Sequence, residues 1–264
     1  MKNSIKFATT YRELDGSELA WIDKSVEEGF RCMEIATSAL PQDSERRDAV
    51  IRYVRDRGVS LNFHAPYRMV NISASDSKLR ADSLALVRDA IYLAAKHEVG
   101  VITFHPGRLS SPDESSSENL ARMLETVEEL ADLARSLNVR LGLENMELRA
   151  NELIHTVDEL NLFAPIAKKN PYLGVTIDFV HYSTLGIGSP ALSSLALPIF
   201  DVHLSQNVGG KTHLSLTAEN GEVDLSATVR ALHDIDYDGF VVFEVLDGHG
   251  ESLKLLEKIE KEIS

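Results

Sequence analysis

Short apolar, β-branched segments alternate with longer amphipathic segments along the whole chain. Apolar runs of roughly four to six residues are typical of strands buried on both faces, and apolar residues three and four apart are typical of helices. In the segment that starts at Ser77, for example, Leu84, Val87, Ile91 and Ala94 follow the helical spacing. The pattern predicts eight consecutive strand–helix units.

The bounds of these elements follow from the pattern and from residues that begin or end helices. The predicted strands cover residues 5–9, 31–35, 61–64, 101–105, 140–144, 174–178, 200–204 and 240–245. The first predicted helix follows Ser17, and the others cover about 42–57, 77–97, 117–137, 156–169, 189–197, 225–234 and 251–263. Ser17, Ser117 and Thr156 are predicted N-caps, and Gly58 suits the position after a helix end.

Regular alternation of strands and helices favours a parallel sheet whose faces are covered by helices. Eight units in 264 residues, with no change of composition that would mark a linker, predict an α/β protein with one (β/α)8 TIM-barrel domain over residues 1–264. An open Rossmann-type sheet is disfavoured, because ATTYRELDG rather than G-x-G-x-x-G follows the first strand.

Six of the apolar segments end on a residue that can bind a metal ion or transfer a proton. An ionised carboxylate in a strand is costly unless it is paired or metal-bound. The carboxyl ends of barrel strands lie on one face, where TIM-barrel active sites are found, so the repetition predicts a site there. The segments are LNFHAPY with His64, VITFHPG with His105, LGLENME with Glu144, GVTIDFVH with Asp178 and His181, FDVHLSQN with His203, and FVVFEVLD with Glu244.

The last four strands supply the ligand types of a divalent cation site. Carboxylates with one imidazole suit Zn²⁺, Mn²⁺ or Mg²⁺, and a larger share of imidazole favours Zn²⁺. The competing interpretation is that each carboxylate caps a helix or pairs with an arginine at the rim. The predicted ligands are Glu144, Asp178, His203 and Glu244.

Further histidines lie close to these strand ends in the sequence. His64 and His105 end strands three and four, where they can hold a second ion through a shared Glu144, bind a substrate hydroxyl, or be buried structural residues. His181 and His213, the latter in a polar loop, are further candidate ligands. Tyr67 is a candidate pocket residue, with simple packing as the alternative. The remaining histidines are predicted at the surface: His97, His155, His233 and His249.

The net charge is −14, from 41 acidic and 27 basic residues, and no Lys/Arg block stands out. This disfavours a nucleic-acid partner without excluding it, since bound divalent cations supply positive charge that the count omits. No apolar run reaches the roughly 20 residues of a membrane span, and the N-terminal segment lacks a signal-peptide core, so we expect a cytoplasmic protein. The single cysteine, Cys32, fits a reducing compartment and is predicted to be buried.

Several motifs together resemble the xylose isomerase-like TIM-barrel superfamily, which contains sugar isomerases and epimerases and also endonuclease IV. The resemblance covers essentially the whole chain, and its motifs are specific to the superfamily but not to one activity. They are HAPY, FHPGR, LGLENM, TIDFVH, DVHL, HLSL, NGEVD and VVFEV.

The resemblance implies roles for individual residues. In the sugar enzymes, the positions matching Glu144, Asp178, His203 and Glu244 hold one divalent metal, and the two glutamates shuttle protons at the substrate carbon. In endonuclease IV, three zinc ions are held by those positions together with the positions that match His64, His105, His181 and His213. The ninth ligand there is an aspartate, and this chain has Lys211 in its place.

Three hypotheses follow. A metal-dependent sugar or sugar-phosphate isomerase or epimerase, acting on a small molecule through Glu144 and Glu244, is favoured by the acidic surface, the short loops and Lys211. A multinuclear zinc phosphodiesterase, of the kind that acts on abasic DNA, is favoured by the additional histidines. A non-catalytic carbohydrate-binding barrel is the third. We expect one to three divalent ions per chain, and the oligomeric state, including a homodimer, stays open.

Overall fold

Eight parallel strands close into a barrel in the computed structural model, which describes residues 5–12, 16–188 and 192–263. The barrel order is β1-β10-β7-β6-β5-β4-β3-β2, and β1 pairs with both β2 and β10. The predicted TIM barrel is therefore confirmed. The barrel strands are β1 (Lys6–Tyr11), β2 (Cys32–Ala36), β3 (Ser60–His64), β4 (Val101–Phe104), β5 (Arg140–Glu144), β6 (Leu173–Asp178), β7 (Ile199–Leu204) and β10 (Phe240–Phe243); a hairpin of β8 (Gln206–Val208) and β9 (Lys211–Leu214) lies outside the barrel.

Helices follow most strands and cover the outside of the barrel. None of the described helices is both long enough and apolar enough to cross a membrane. The helices are α1 (Glu18–Glu28), α2 (Ser44–Asp56), α3 (Ser77–Lys96), α4 (Ser116–Ser136), α5 (Val157–Leu160), α6 (Ala164–Lys169), α7 (Phe179–Ser183), α8 (Leu225–Asp234) and α9 (His249–Ile263).

Side chains alternate along each strand and so form two separate apolar regions. Outward residues such as Phe63 and Leu143 belong to one large cluster that also contains the buried faces of the helices. A small cluster of Ala8, Cys32 and Val242 belongs to the opposite strand face, inside the barrel. Other buried residues on this inner face are polar, and they lie beneath the site: Glu34, Asn62, Thr103, Thr176 and Asp201.

Gly142 makes room for polar packing inside the barrel. A Cβ atom at this position would lie 2.2 Å from Thr176 Oγ1. Without that Cβ, Thr176 Oγ1 can lie 2.8 Å from Thr103 Oγ1 and form a buried hydrogen bond below the end of β5. The small residue two positions before Glu144 therefore supports the layer on which that carboxylate rests.

Several predicted helix ends differ from the structure. Ser115, not Ser117, caps α4, because its side chain accepts a hydrogen bond from Glu118 N. Ser17 precedes α1 but makes no capping hydrogen bond through its side chain. Thr156 does cap α5 and forms a capping box with Glu159. The helix predicted to run to residue 169 is instead divided by a 3₁₀ turn before α6, which has a proline in its first turn.

Other predictions need larger corrections. The predicted helix at 189–197 lies partly outside the described residues, and within 192–197 only a 3₁₀ turn at Leu192–Ser194 forms. His213 lies in β9 of the hairpin rather than in a loop. His97 and His233, predicted at the surface, are buried, because each lies at the end of a helix that packs on its neighbours.

Candidate metal and proton-transfer site

Four buried side chains meet at the carboxyl-terminal ends of β5, β6, β7 and β10, which are consecutive in the barrel. Each side chain offers one ligand atom, and these atoms all lie within 4.8 Å of one another. Their exposed fractions are between 0% and 4%. The four residues, called the quartet below, are Glu144, Asp178, His203 and Glu244.

His203 lies at the centre of the charged contacts in the quartet. Its Nδ1 atom is 3.1 Å from Glu144 Oε1 and 3.8 Å from Glu244 Oε2. Burial lowers the pKa of His203, but Glu34 and Glu144 raise it by more, so the pKa lies well above its ordinary value. An imidazole binds a metal ion only when that nitrogen is deprotonated, so metal binding here releases a proton.

Glu144 carries the complementary charge. Burial raises its pKa, yet the neighbouring imidazoles of His203 and His105 lower it by more, and the net pKa lies well below the ordinary value. The group is therefore an ionised carboxylate that is almost fully buried, with 1% of its surface exposed. Such a charge is stable only with cationic neighbours or a bound ion.

Within the part of the chain that the structure describes, one carboxylate oxygen of Asp178 has no hydrogen-bond donor. Its Oδ1 atom accepts hydrogen bonds from Val180 N and His181 N at the start of α7. Its Oδ2 atom accepts none, although His181 Nε2 lies 3.4 Å away. Burial raises the pKa of Asp178, and this is only partly offset by His181. A buried carboxylate oxygen without a donor fits a metal ligand, so the quartet suits a divalent cation.

A second group of ligand atoms shares Glu144. His105 Nε2 lies 3.0 Å and His64 Nε2 lies 3.3 Å from Glu144 Oε2. The Nδ1 atom of His64 contacts the carbonyl oxygen of Ala65 at 2.7 Å. Because a carbonyl only accepts, Nδ1 carries the proton, and Nε2 of the neutral ring presents its lone pair to the site. This is the orientation expected of a metal-binding histidine.

A third group lies on the other side of the quartet and contains a residue that the sequence analysis missed. Ligand atoms of Glu147, His181 and His213 lie within 4.8 Å of one another. Burial, Arg12 and His181 lower the pKa of His213 to about 3, so its ring is neutral at ordinary pH. Lys211 is not part of this group, in which the carboxylate of Glu147 comes from the loop after β5 and is also paired with Arg149.

A cavity of about 260 Å³ opens above these groups. It is lined by every predicted site residue except Asp178 and His203, which lie beneath it. Tyr67 belongs to its wall, with its ring centroid 5.2 Å from that of His64 and 5.4 Å from that of His105. A larger groove of about 620 Å³ lies elsewhere, along segments 37–47 and 86–96, and it contains none of the ligand residues.

Polar residues beneath the quartet were also missed. Glu34 Oε2 lies 3.3 Å from His203 Nε2, and Asn62 Nδ2 donates to Asp201 Oδ2 at 2.6 Å. Burial and the nearby charge of Glu34 raise the pKa of Asp201 to about 8. A signal for Glu34 exists in the sequence, since a carboxylate interrupts the apolar run RCMEIA. It was overlooked because it lies inside the strand and not at its end.

All nine predicted site residues therefore lie in one connected region, although the roles assigned to them remain predictions. Three arginines, which the sequence analysis did not consider, also line the cavity. Arg12 pairs with Glu244 and Arg149 pairs with Glu147, whereas Arg108 extends from the loop after β4.

Comparison with known proteins gives relatives that match most of the chain. A family model described as xylose isomerase-like TIM barrel matches residues 22–262. Protein MJ1311 of Methanocaldococcus jannaschii is 29% identical over 234 residues, or 84% of this chain and 77% of its own length. A D-psicose 3-epimerase of Agrobacterium fabrum is 24% identical over 275 residues, and the match covers 100% of this chain and 91% of the epimerase. A probable endonuclease 4 of Acholeplasma laidlawii is 21% identical over 213 residues, and the match covers 80% of this chain and 70% of that protein.

Solved structures agree on the fold. The crystal structure of a D-tagatose 3-epimerase-like protein superposes with a TM-score of 0.84 at 23% identity, and the match covers 98% of both chains. At this level of identity the likeness establishes the barrel and its topology.

Proposed function

The chain belongs to the xylose isomerase-like TIM-barrel family, and from this premise we propose that it is a divalent-metal-dependent sugar isomerase or epimerase. The observation that carries the proposal is the placement of Glu144 and Glu244. Both glutamates line the small cavity, and both approach the same atom, His203 Nδ1. They lie at the ends of β5 and β10, which β6 and β7 separate in the barrel, so they flank Asp178 and His203 from two sides.

Two flanking carboxylates suit proton transfer at a carbon atom. One of Glu144 and Glu244 removes the proton, and the other returns it, as general base and general acid. The low pKa of Glu144 keeps this carboxylate ionised in the free protein. Glu244 is held by an ion pair with Arg12, which fixes its position at the cavity wall.

The remaining residues would bind and orient the sugar. When bound, a divalent cation held by the quartet polarises a carbonyl and the adjacent hydroxyl and so acidifies the neighbouring C–H bond. His64, His105 and Tyr67 line the cavity and carry groups that can hydrogen-bond sugar hydroxyls.

The size of the cavity also supports a small substrate. Its volume of about 260 Å³ is slightly below the roughly 300–1,000 Å³ of pockets that hold drug-sized ligands. The net charge of −14 disfavours a polyanionic partner. The D-psicose 3-epimerase relative, which matches the full chain, points in the same direction.

Deuterium exchange tests this proposal directly. Incubation of the Mn²⁺-loaded protein with a panel of ketoses and ketose phosphates in D₂O should introduce deuterium at a carbon next to the carbonyl. Glu144→Gln and Glu244→Gln should each reduce exchange by about 10²-fold or more. Glu18→Gln is the matched control, because Glu18 is also a buried carboxylate but pairs with Arg46 and does not line the cavity. Absence of exchange with every sugar at full metal occupancy would argue against the proposal.

A second candidate function is a multinuclear phosphoesterase. The specific observation in its favour is that two further ligand groups, His64–His105–Glu144 and Glu147–His181–His213, flank the quartet. An endonuclease 4 is also among the relatives. Incision of a duplex with one abasic site by the zinc-loaded protein would support this function. If the duplex stays intact in the presence of the zinc-loaded protein, this second function is rejected.

A further inference from the structure

We propose that the substrate is an anionic sugar and that Arg108 binds its oxyanion, either a phosphate or a carboxylate group. This inference rests on the proposed isomerase or epimerase function and specifies its substrate class. Arg108 lies in the loop after β4, four residues beyond Phe104, and its side chain lines the cavity above the quartet.

Buried amide groups hold the backbone of Arg108 in place. Its backbone N–H donates to Asn71 Oδ1 at 3.0 Å, and its carbonyl oxygen accepts from Asn71 Nδ2 at 2.9 Å and from Asn119 Nδ2 at 3.0 Å. Asn71 and Asn119 are 4% and 0% exposed. Hydrogen bonds on both sides of one residue restrict its position before any ligand binds.

The preceding glycine fixes the loop in the same way. Gly107 has a φ of +94°, and a Cβ atom there would lie 2.4 Å from Ser73 Oγ and 2.9 Å from Asn71 Oδ1. The loop therefore packs against Asn71 and Ser73 too closely for a larger residue. The direction in which Arg108 leaves this loop is set by close packing and not by the arginine itself.

The guanidinium group of Arg108 differs in its contacts from the guanidinium groups of Arg12 and Arg149, which line the same cavity. Arg12 and Arg149 form ion pairs with Glu244 and Glu147. Over residues 5–12, 16–188 and 192–263, the guanidinium of Arg108 forms neither an ion pair nor a hydrogen bond, although its side chain is half-buried. Its electrostatic neighbour is Glu152, whose pKa burial raises and Arg108 partly lowers.

A guanidinium without an ion pair, carried on a backbone that is held in place, suits an oxyanion ligand. Its planar N–H donors match two oxygens of a phosphate or carboxylate group at once. The cavity is otherwise rich in carboxylates and the whole chain is acidic. An anionic substrate therefore needs a cationic side chain that is not already paired with a carboxylate. A neutral sugar would leave this guanidinium without an opposite charge.

Pairs of ligands that share a sugar skeleton and differ in one anionic group test the inference by binding. We suggest isothermal titration of the Mn²⁺-loaded protein with D-fructose, D-fructose 6-phosphate and D-fructuronate, and with D-ribulose and D-ribulose 5-phosphate. At least one anionic member should bind about tenfold or more tightly than its neutral counterpart. A preference for the phosphate or for the carboxylate identifies which oxyanion is recognised.

Variants then assign the preference to Arg108. Arg108→Gln should remove the preference and leave the affinity for the neutral sugar unchanged, and Arg108→Lys should restore only part of it. Arg230→Gln is the matched control, because it removes the same charge from an exposed residue of α8 that does not line the cavity. Elemental analysis of each variant separates loss of oxyanion binding from loss of metal.

Two results would overturn the inference: neutral sugars that bind as tightly as anionic ones, or a preference that Arg108→Gln leaves intact. These failures are distinct from failure of the proposed function. If a neutral ketose undergoes exchange and Arg108→Gln does not change its rate, the isomerase or epimerase function is supported and the role of Arg108 is rejected. If a sugar phosphate binds through Arg108 but undergoes no exchange under any condition, the role of Arg108 is supported and the isomerase or epimerase function is rejected.

Discussion

The carboxylate of Glu34 lies beneath His203, with its Oε2 atom 3.3 Å from the imidazole Nε2. Nε2 points down into the barrel, while Nδ1 faces Glu144 and Glu244 in the quartet. Glu34 is fully buried, and its other oxygen has no hydrogen-bond partner. The contact keeps a proton on Nε2 and so directs the lone pair of the neutral ring at Nδ1 toward a metal ion.

We expect Glu34→Gln to weaken metal binding by about 10- to 100-fold, as loss of such a supporting carboxylate typically does. The measurement is competition for Mn²⁺ or Zn²⁺ with a chelator of known affinity. Glu18→Gln is the control, because Glu18 is also a buried carboxylate but pairs with Arg46 instead of His203. Equal metal affinity of Glu34→Gln and the unmodified protein would show that Glu34 has only a packing role.

Two further carboxylate variants should separate the quartet from the neighbouring ligand groups. Asp178→Asn should remove the most tightly bound ion, because the oxygen without a donor, Oδ2, becomes part of a neutral amide. Glu147→Gln should leave that ion bound, since Glu147 lies in the outer group with His181 and His213. Metal content per chain after dialysis measures both. Loss of the tight ion in Glu147→Gln alone would place the primary site outside the quartet.

Gly107→Ala should destabilise the fold more than Gly58→Ala. Both glycines have positive φ, at +94° and +68°, so each alanine carries a backbone penalty of about 1–2 kcal/mol. Only at Gly107 would the new Cβ also meet neighbouring atoms, 2.4 Å from Ser73 Oγ, whereas nothing lies within 4 Å at Gly58. Urea unfolding measures the difference, which should exceed about 1 kcal/mol. Equal losses would mean that the loop before Arg108 relaxes freely.

His249 should contribute to acid destabilisation. Burial, Lys24 and Arg12 lower its pKa to about 4 in the folded protein, against about 6.5 when unfolded. The folded state therefore resists protonation, and the free energy of unfolding falls as the pH drops from about 6.5 to 4. His249→Gln should reduce this fall by on the order of 1–2 kcal/mol between pH 7 and pH 5.

Urea unfolding of metal-free protein at the two pH values checks this expectation, since chelation removes the separate effect of metal binding. The substitution also removes the hydrogen bond between His249 Nδ1 and Thr9 Oγ1, which lie 2.8 Å apart. That loss lowers stability at both pH values alike. Curves for the variant and the unmodified protein that stay parallel between pH 7 and pH 5 would contradict the assignment.

The sequence by itself determined the order of the strands and helices and the face on which the site lies. Strand period, helical spacing and ends such as Glu144 and His64 are local features, so they can be read without knowing which segments touch. The parallel barrel then requires that all strand ends share one face. Prediction from local sequence was less accurate where packing determines the ends of helices and strands. Examples are the segment at 189–197 and the hairpin that carries His213.

Tertiary structure alone decided which distant groups meet. Glu34 and His203 are 169 positions apart in the sequence and touch only because the closed barrel directs both side chains inward. Ligand atoms of Glu147, His181 and His213 lie within 4.8 Å of one another, although these residues come from the loop after β5, from α7 and from the hairpin. Arg108 is held by Asn71 and Asn119, which lie in another loop and in a helix. Side-chain type is encoded residue by residue, but contact across the barrel depends on its closure and register.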